Sequence, residues 1–387
     1  MECSRIFKLR NFTRIAFFAF WAVFFSSSAP MFAQTQSSDV AAETGVQAEE
    51  SEHAPEKFNI TEFIFHHIGD ANEFTFWGHG DSWTGLNLPM ILWTDKGLVV
   101  FSSAKFQMDN EATVVAESKG QHFVRYHNKV YYASQQAHEG HFLEMQNDDK
   151  GAHVVSNAQP LNLSITKNVF TILLSCIVLI LIFTSVARAY KKRSGKAPKG
   201  FQSLIEPVIL FIRDDVAKPN LGHKYERYMP YLLTVFFFIW FNNMLGLVPF
   251  FPGGANVTGN IAVTLVLAVF TFLITSFSGN KHYWAHVFRP NVPWWLYPLM
   301  VPVEIFGLFT KPFALMIRLF ANITAGHILV LSLLCLIFIF NSLAVAPVSI
   351  IFAVFIMTIE LLVAFIQAFI FTILSALFIG LAVEEHH

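Results

Sequence analysis

The chain has 387 residues, of which 54% are hydrophobic, a formal net charge of −1 and a mean hydropathy of +0.48. This composition is too apolar for a water-soluble domain of that length. No basic stripe of the kind that binds nucleic acid is present. We therefore expect a protein whose main partner is the lipid bilayer and which does not bind nucleic acid.

Residues 1–33 have the pattern of a secretory signal peptide. The apolar stretch 15–25 is followed by small residues up to Ala33, and four basic residues precede it: Arg5, Lys8, Arg10 and Arg14. The alternative is a signal that is retained as an anchor. The signal-peptide interpretation predicts that the mature amino terminus lies outside the cytoplasm.

Residues 34–56 are rich in Ser, Gln, Glu and Ala, which predicts a disordered linker. Residues 57–160 are predicted to form a small, β-rich, extracytoplasmic domain, because short apolar alternations are separated there by turn residues. These alternations lie at 74–77, 89–93, 98–101 and 122–126. His66, His67 and His79 are candidate metal ligands. Their spacing does not repeat, so we expect histidines that are exposed or pack within the domain, and no metal site.

Residues 161–387 are predicted to form an all-α polytopic membrane domain with five membrane helices, at 166–190, 228–250, 260–278, 293–340 and 346–383. Apolar residues, among them Leu204 and Ile205, recur at helical spacing over 201–217, which predicts an additional amphipathic helix on the cytoplasmic membrane surface. Gln202 and Glu206 are expected on or beside its polar face. A basic cluster follows the first membrane helix and indicates its cytoplasmic end: Arg188, Lys191, Lys192, Arg193, Lys196 and Lys199. The carboxyl terminus then also lies in the cytoplasm.

The last two apolar segments are unusually long. As continuous helices, 293–340 and 346–383 would measure about 72 and 57 Å, against a hydrocarbon core of about 30 Å. Either prolines such as Pro298, Pro302 and Pro312 break the first segment into a re-entrant pair, or both helices are steeply tilted. Since no polar loop interrupts either segment, we expect a long, tilted, antiparallel pair.

Arg318 lies in the middle of the first long segment, and its guanidinium keeps its charge at any accessible pH. Placing that charge at bilayer depth costs about 2.5–3.5 kcal/mol on insertion scales. Glu304 and Asn322 share its helix face, and His327 points to the opposite side. A cost of this size is typical of an ion pathway, although a structural ion pair or a side chain that snorkels to the interface would be an alternative.

The final helix carries Glu360 and Gln367 seven residues apart on one face. Antiparallel pairing is expected to bring Gln367 near Arg318 and Glu360 near His327. Protonatable groups then lie on both sides of a permanent cation. This layout predicts two offset half-channels, between which a proton crosses only on a mobile carrier. Each of these polar residues could instead be a packing partner between helices.

Several motifs in residues 160–387 resemble subunit a of the F-type ATP synthases. The residues that carry the resemblance are Phe211-Ile-Arg-Asp-Asp-Val-Ala-Lys-Pro219, Asn243-Met-Leu-Gly-Leu-Val-Pro249, Arg318-Leu-Phe-Ala-Asn322, Ala325-Gly-His327 and Gln367-Ala-Phe-Ile-Phe371. The resemblance implies that Arg318 is the essential arginine. Glu304 would serve the cytoplasmic half-channel, and His327 with Glu360 the outer one. Asn322 and Gln367 would be the neighbouring polar positions.

The resemblance further implies a membrane-sector subunit that contacts the c-ring, the peripheral-stalk b subunits and the remaining synthase subunits in a bacterial inner membrane. No Gly-rich phosphate loop is present, so no catalytic site and no cofactor is expected in this chain. The rivals are a self-contained secondary transporter or ion channel, for which we find no inverted repeat, and a structural anchor, which leaves Arg318 unexplained.

Overall fold

The computed structural model describes residues 64, 68–77, 84–107, 109–134, 141–147, 153–192, 197–248, 253–290, 292–340 and 345–384. The predicted signal peptide, the predicted linker and the histidines His66, His67 and His79 lie outside the described residues. The chain divides into two compact units. One comprises Gly69–Thr171 with Val248–Ala255, and the other is formed mainly by Ile172–Leu247 and Asn256–His387.

The first unit contains antiparallel β-strands. Their bounds are β1 Glu73–Trp77, β2 Thr84–Asn87, β3 Pro89–Thr94, β4 Gly97–Ser102, β5 Ala116–Ser118, β6 Gln121–Tyr126, β7 Lys129–Tyr132, β8 Met145–Asn147, β9 His153–Val155 and β10 Leu161–Asn162. They form small sheets with the orders β1-β2, β10-β3-β4, β5-β6-β7 and β8-β9. The four apolar alternations noted in the sequence lie within β1, β3, β4 and β6.

Alternation along the strands builds the core of this unit. Met90 and Leu92 of β3 and Val99 of β4 point inward, and they pack with Phe106 and Phe123. Successive side chains of a strand point to opposite faces, so the residues between them on β3 and β4 point outward. The core therefore lies on one side of the β10-β3-β4 sheet only.

A buried ion pair ties the strands of this unit to a loop. The Arg125 side chain is 1% exposed, and its Nη1 donates to both carboxylate oxygens of Glu73 at 3.3 and 3.2 Å. Its Nε donates to the Asp109 carbonyl oxygen at 2.7 Å. The Asp109 carboxylate in turn accepts hydrogen bonds from the backbone N–H groups of Thr113 and Val114, at 2.7 and 2.8 Å. A charge this deeply buried is stable only because it is paired.

The first turn of the long helix α1, Lys167–Lys192, belongs to the same unit. The backbone N–H of Lys167 donates to the Ala71 carbonyl oxygen at 2.8 Å, and that of Asn168 donates to the Asp70 carboxylate at 3.2 Å. Asp70 thus caps a helix start that is distant in sequence. Its pKa is raised, mainly because the carboxyl group is buried, and the cap hydrogen bond opposes this rise.

The second unit is helical. Its helices are the rest of α1, α2 Phe201–Phe211, α3 Lys218–Leu221, α4 Tyr225–Leu247, α5 Ile261–Ser278, α6 Lys281–Phe288, α7 Tyr297–Phe340 and α8 Ala346–Val383. Five stretches of the described chain are long and apolar enough to cross a membrane: Lys167–Lys192, Phe201–Leu247, Ile261–Ser278, Trp294–Ile337 and Ala346–Val383. The prediction of a polytopic helical membrane protein is therefore confirmed.

The predicted amphipathic helix is observed as α2, a π-helical turn at Ile212–Ala217 and α3. Gly222 has φ +52°, a backbone conformation that favours glycine, and the chain changes direction there before α4. One assignment of faces was wrong. Gln202 was placed on the polar side but is buried, whereas the Leu204 side chain is 65% exposed. The buried stripe runs through Gln202, Ile205 and Ile209, which are three and four residues apart, so Gln202 follows the helix period.

The helices α7 and α8 are continuous, with 44 and 38 residues, or about 66 and 57 Å. Pro302 and Pro312 lie within α7 without ending it, so the expectation of unbroken helices is confirmed. The two helices are antiparallel. The Ser349 hydroxyl donates to the Leu333 carbonyl oxygen near one end, and the Lys311 ammonium lies 5.8 Å from the Phe378 ring near the other.

The end of α8 packs closely on α3. A methyl group at Gly380 would collide with the backbone carbonyl oxygen of Asn220, which cannot move aside as a flexible side chain does. The absence of a side chain at Gly380 therefore allows the two helices to approach. This contact also determines the position of α8 along its axis relative to α3.

Candidate functional site

Arg318 lies on the outer side of the α7–α8 pair. The buried face of α7 at this level is formed by Leu315, Met316 and Leu319. Arg318 follows Ile317 on the side that faces away from the unit, and its side chain is exposed. None of the ion pairs found among the described residues includes it. The charge therefore lacks an acidic partner in the described part of the chain.

Gln367 joins α8 to α7 beside this arginine. Its side chain is 3% exposed, and its Nε2 donates to the backbone carbonyl oxygen of Arg318 at 2.7 Å. Antiparallel pairing predicted this neighbourhood from the sequence. The bond reaches the Arg318 backbone rather than the guanidinium, so it positions the arginine while leaving its charged group available.

A narrow cleft lies further along the same helix pair, toward the α7–α8 turn. It brings together three of the predicted residues, Asn322, His327 and Glu360. The remaining lining residues belong to α4, α7 and α8: Asn243, Leu247, Ile323 and Val363. Glu360 and His327 are both half-buried. The expected proximity of Glu360 to His327 is thus observed, in a cleft whose other walls are largely apolar.

Gly326 sets the position of the Glu360 carboxylate. A methyl group at this glycine would overlap with the Glu360 carboxylate oxygen and crowd its carboxyl carbon. The carboxylate therefore lies directly on the backbone of α7, one residue before His327. An acidic side chain can approach a neighbouring helix this closely only where the facing residue lacks a Cβ.

Asn243 is the cleft residue that the sequence analysis did not identify as functional. Its Nδ2 donates to the Ala364 carbonyl oxygen at 3.3 Å, and its Oδ1 accepts a 2.5 Å hydrogen bond from Thr258. It therefore connects α4 to α8 and to the turn that precedes α5. Two adjacent asparagines within an otherwise apolar helix, Asn242 and Asn243, were the sequence signal that could have identified it.

Glu304 lies apart from this cleft, fourteen residues before Arg318 on α7. Its side chain is half-buried and close enough to Tyr283 of α6 to affect that phenol. The pKa of Tyr283 is raised, first because the side chain is partly buried and second because the Glu304 charge disfavours a phenolate. Lys311, seven residues further along α7, lies over the ring of Phe378.

The surface around Arg318 is strongly apolar. Large exposed side chains occur along both long helices: Val303, Phe306, Phe309, Phe313, Ile317, Ile351, Phe355, Leu362 and Ile366. Such a surface suits contact with lipid or with another protein within the membrane. Among the residues that the structure describes, no three His, Cys, Asp or Glu side chains are grouped in a way that could hold a metal ion.

Comparisons with known proteins cover both parts of the chain. Residues 169–380 match the family described as ATP synthase A chain, and residues 63–163 match a domain of unknown function, DUF8433. The chain is 52% identical over 232 residues to ATP synthase subunit a of Chloroherpeton thalassium, which covers 58% of this chain and 69% of that protein.

Two other relatives give a similar result. ATP synthase subunit a 2 of Chlorobaculum tepidum is 55% identical, over 57% of this chain and 64% of that protein. ATP synthase subunit a of Myxococcus xanthus is 47% identical, over 59% of this chain and 75% of that protein. The matched part of this chain corresponds to its helical half.

Proposed function

The chain belongs to the ATP synthase A chain family, the subunits a that translocate protons in F-type ATP synthases, and we propose that it uses two offset half-channels separated by Arg318. As a membrane-sector subunit it has no catalytic site of its own. ATP chemistry takes place in other subunits of the complex.

The exposed position of Arg318 carries this proposal. A permanent cation in a membrane helix, with no acidic partner in the described part of its own chain, requires an anion from elsewhere. A carboxylate on a neighbouring c-ring meets this requirement. At 4 Å and an effective dielectric constant of 20, the attraction between two unit charges is about 4 kcal/mol. This attraction favours the deprotonated carboxylate in front of Arg318.

The cleft around Glu360 is proposed as the outer half-channel. Glu360 and His327 can each take up and release a proton, and Asn322 and Asn243 can hydrogen-bond to water between them. A relay of this kind would deliver a proton to a ring carboxylate after that carboxylate has left Arg318. Gln367 would hold the arginine backbone in place during the exchange.

Glu304 is proposed to serve the inner half-channel. It lies about four helical turns before Arg318, toward the opposite end of α7 from the outer cleft. A ring carboxylate that approaches Arg318 would release its proton through this acidic group toward the cytoplasm. Because the guanidinium neither accepts nor passes a proton, the two paths do not join.

The membrane potential would then drive rotation. Each elementary charge that crosses 100 mV supplies about 2.3 kcal/mol. A proton that enters from outside can reach the cytoplasm only by travelling on the rotating ring. Steeply tilted α7 and α8 would present a broad wall to that ring, consistent with their lengths of about 66 and 57 Å.

The remaining assignments follow from this role. The partners would be the c-ring, the peripheral-stalk b subunits and the other synthase subunits, in a bacterial cell inner membrane. The carboxyl terminus would lie in the cytoplasm. The strand-rich unit would lie outside the cytoplasm and would be exported by the predicted signal peptide, in agreement with the basic cluster after α1.

The test is Arg318→Ala in the assembled synthase, measured in inverted membrane vesicles. We expect ATP-driven proton pumping to be abolished while the subunit still assembles, because its side chain makes no ion pair within the described chain. Lys311→Ala is the matched control. It removes a cation two turns away on the same helix, whose contact is with Phe378, and should leave most of the pumping intact.

Normal pumping by Arg318→Ala would contradict the proposed barrier. An equal loss in Lys311→Ala would also contradict it, because pumping would then depend on the total positive charge of α7 and not on the position of Arg318.

A further inference from the structure

The outward side of the β10-β3-β4 sheet carries apolar residues that no other described part of its unit covers. The exposed fractions are 58% for Trp93, 44% for Leu98, 52% for Val100 and 53% for Leu161. Ile91 lies between Trp93 and Pro89 on the same face and is half-buried. We call these five residues, Ile91, Trp93, Leu98, Val100 and Leu161, the apolar sheet face.

The strand register makes this face continuous. Leu161 of β10 pairs with Trp93 of β3, and Trp93 pairs with Leu98 of β4, so three exposed apolar residues form one row across three strands. Ile91 and Val100 form the next row on the same side. Scattered apolar residues are normal on a protein surface, but a contiguous set with a central tryptophan marks a surface of interaction.

Two lysines border the same face. The Lys119 ammonium donates to the backbone carbonyl oxygen of Leu98 at 2.6 Å, which fixes the cation at the rim. Lys96 is exposed in the turn between β3 and β4, next to the paired residues Trp93 and Leu98. An aromatic and aliphatic surface with cations at its edge matches the boundary between acyl chains and phosphate groups.

The same sheet is joined directly to a membrane helix. After Leu161 the chain continues along β3, since Leu163 N–H donates to the Ile91 carbonyl oxygen at 2.8 Å and Ile165 N–H donates to that of Pro89 at 3.2 Å. Helix α1 begins at Lys167. The six residues from Leu161 to Lys167 span at most about 20 Å. The apolar sheet face therefore cannot lie far from the point where α1 enters the bilayer.

We propose that the apolar sheet face rests on the membrane, with Trp93, Leu98 and Leu161 at the level of the lipid headgroups and with Lys96 and Lys119 beside lipid phosphates. This contact would hold the strand-rich unit flat against the bilayer at the start of α1. The inference requires only that α1 spans the membrane, and it is independent of the proposed half-channels.

The test uses fluorescent labels on single cysteines in the assembled synthase, with the three native cysteines replaced by Ala. Leu98→Cys places the label on the apolar sheet face. Lys129→Cys places it at an exposed position of β7 as the matched control. The labelled complexes are reconstituted in vesicles of phosphatidylcholine and phosphatidylglycerol. Each label is then quenched either by a lipid with a headgroup spin label or by aqueous iodide.

We expect the lipid quencher to act several times more strongly at position 98 than at position 129, and iodide to show the opposite order. Equal iodide quenching at both positions would show that the face lies in water and would overturn the proposal. Resistance of position 98 to both quenchers would also overturn it, because another protein subunit or a second copy of this chain would then cover the face. Val100→Cys replaces Leu98→Cys if that variant fails to assemble.

Discussion

Each of the two units contains an arginine in an apolar environment, and the two arginines differ in whether they form an ion pair. In the strand-rich unit, Arg125 is 1% exposed and its partners, Glu73 and the Asp109 carbonyl oxygen, belong to the same chain. In the helical unit, Arg318 is exposed on a membrane helix and forms no ion pair among the described residues. The first charge is paired within its own unit, whereas the second has no ion-pair partner in the described part of the chain.

The proposed function gives these two charges different roles, one structural and one in proton transfer. A pair that is complete within the chain stabilises one arrangement of strands and has nothing further to exchange. A cation that forms no ion pair with the described residues of its chain remains available to an acidic group of another subunit. The acidic residues follow the same division, since Glu73 is buried against Arg125, whereas Glu360 lines a cleft beside His327. Substitutions of Arg125 or Glu73 should therefore affect stability, and substitutions of Arg318 or Glu360 should affect proton transfer.

The largest effect is expected from Arg125→Met, which leaves the Glu73 carboxylate buried without its partner. Breaking a buried pair in this way costs about 3–5 kcal/mol. We expect much faster hydrogen–deuterium exchange in β1 and β6 within the assembled complex. Proton pumping per assembled complex should remain near normal.

The double variant Arg125→Met/Glu73→Leu provides the control. It removes both charges, so part of the lost protection should return, although the hydrogen bond to the Asp109 carbonyl oxygen stays absent. If pumping falls in proportion to the lost protection in both variants, the strand-rich unit contributes to proton transfer and the division between the two arginines is wrong.

The second effect concerns Glu360→Gln, which keeps the shape of the side chain but removes its proton exchange. A positioned proton-transfer group contributes a factor of about 100 or more to a rate, so we expect proton conduction to fall by about that factor. Passive proton flow through the membrane sector, measured after removal of the catalytic sectors, would report it directly. The stability of the complex should change little.

Thr358→Val is the matched control for this residue. It lies two residues earlier on α8, is exposed, and donates its hydroxyl only to the Val354 carbonyl oxygen of its own helix. Its conduction should stay close to that of the unsubstituted complex. An unchanged rate in Glu360→Gln would remove this carboxyl group from the proton path.

The helical unit was predictable from the sequence, because its helices are indicated by residues that are close together along the chain. Long apolar segments define the five candidate spans, and the direction of two adjacent helices is enough to place Gln367 near Arg318. The pairing of Glu73 with Arg125 could not be predicted in the same way. The two residues are 52 positions apart, and only the arrangement of several short strands brings them together.

Two features of the helical unit were missed for related reasons. Asn243 does not titrate, and its importance comes from long-range contacts that the sequence pattern does not reveal: it connects three segments around the cleft. Gln202 was assigned to the polar face by residue type, whereas the packing of α2 buries it together with Ile205. In both cases an amide is buried because its position on the helix faces the rest of the unit.

The smallest effect is expected from Gly326→Ala. This variant is also the most direct test of whether Glu360 is a structural or a proton-transferring residue. The added methyl group meets the flexible end of Glu360 and not the backbone, so the side chain can move and folding should be unaffected or slightly favoured, since Ala is the better helix former by about 1 kcal/mol. A displaced carboxylate is a poorer proton donor, and a misplacement of 1 Å can cost up to about 100-fold. We expect a few-fold loss of proton conduction at unchanged thermal stability.

Gly307→Ala makes the same change on the same helix, where the added methyl group meets no described atom beyond its own helical turns within 4 Å, so its conduction should be unchanged. If both variants lose conduction equally, the cause is the glycine content of α7 and not the position of Glu360. If Gly326→Ala instead lowers stability while conduction per complex is kept, the contact between Glu360 and α7 is structural. Glu360 would then belong with Glu73, on the side of the charges that this chain satisfies by itself.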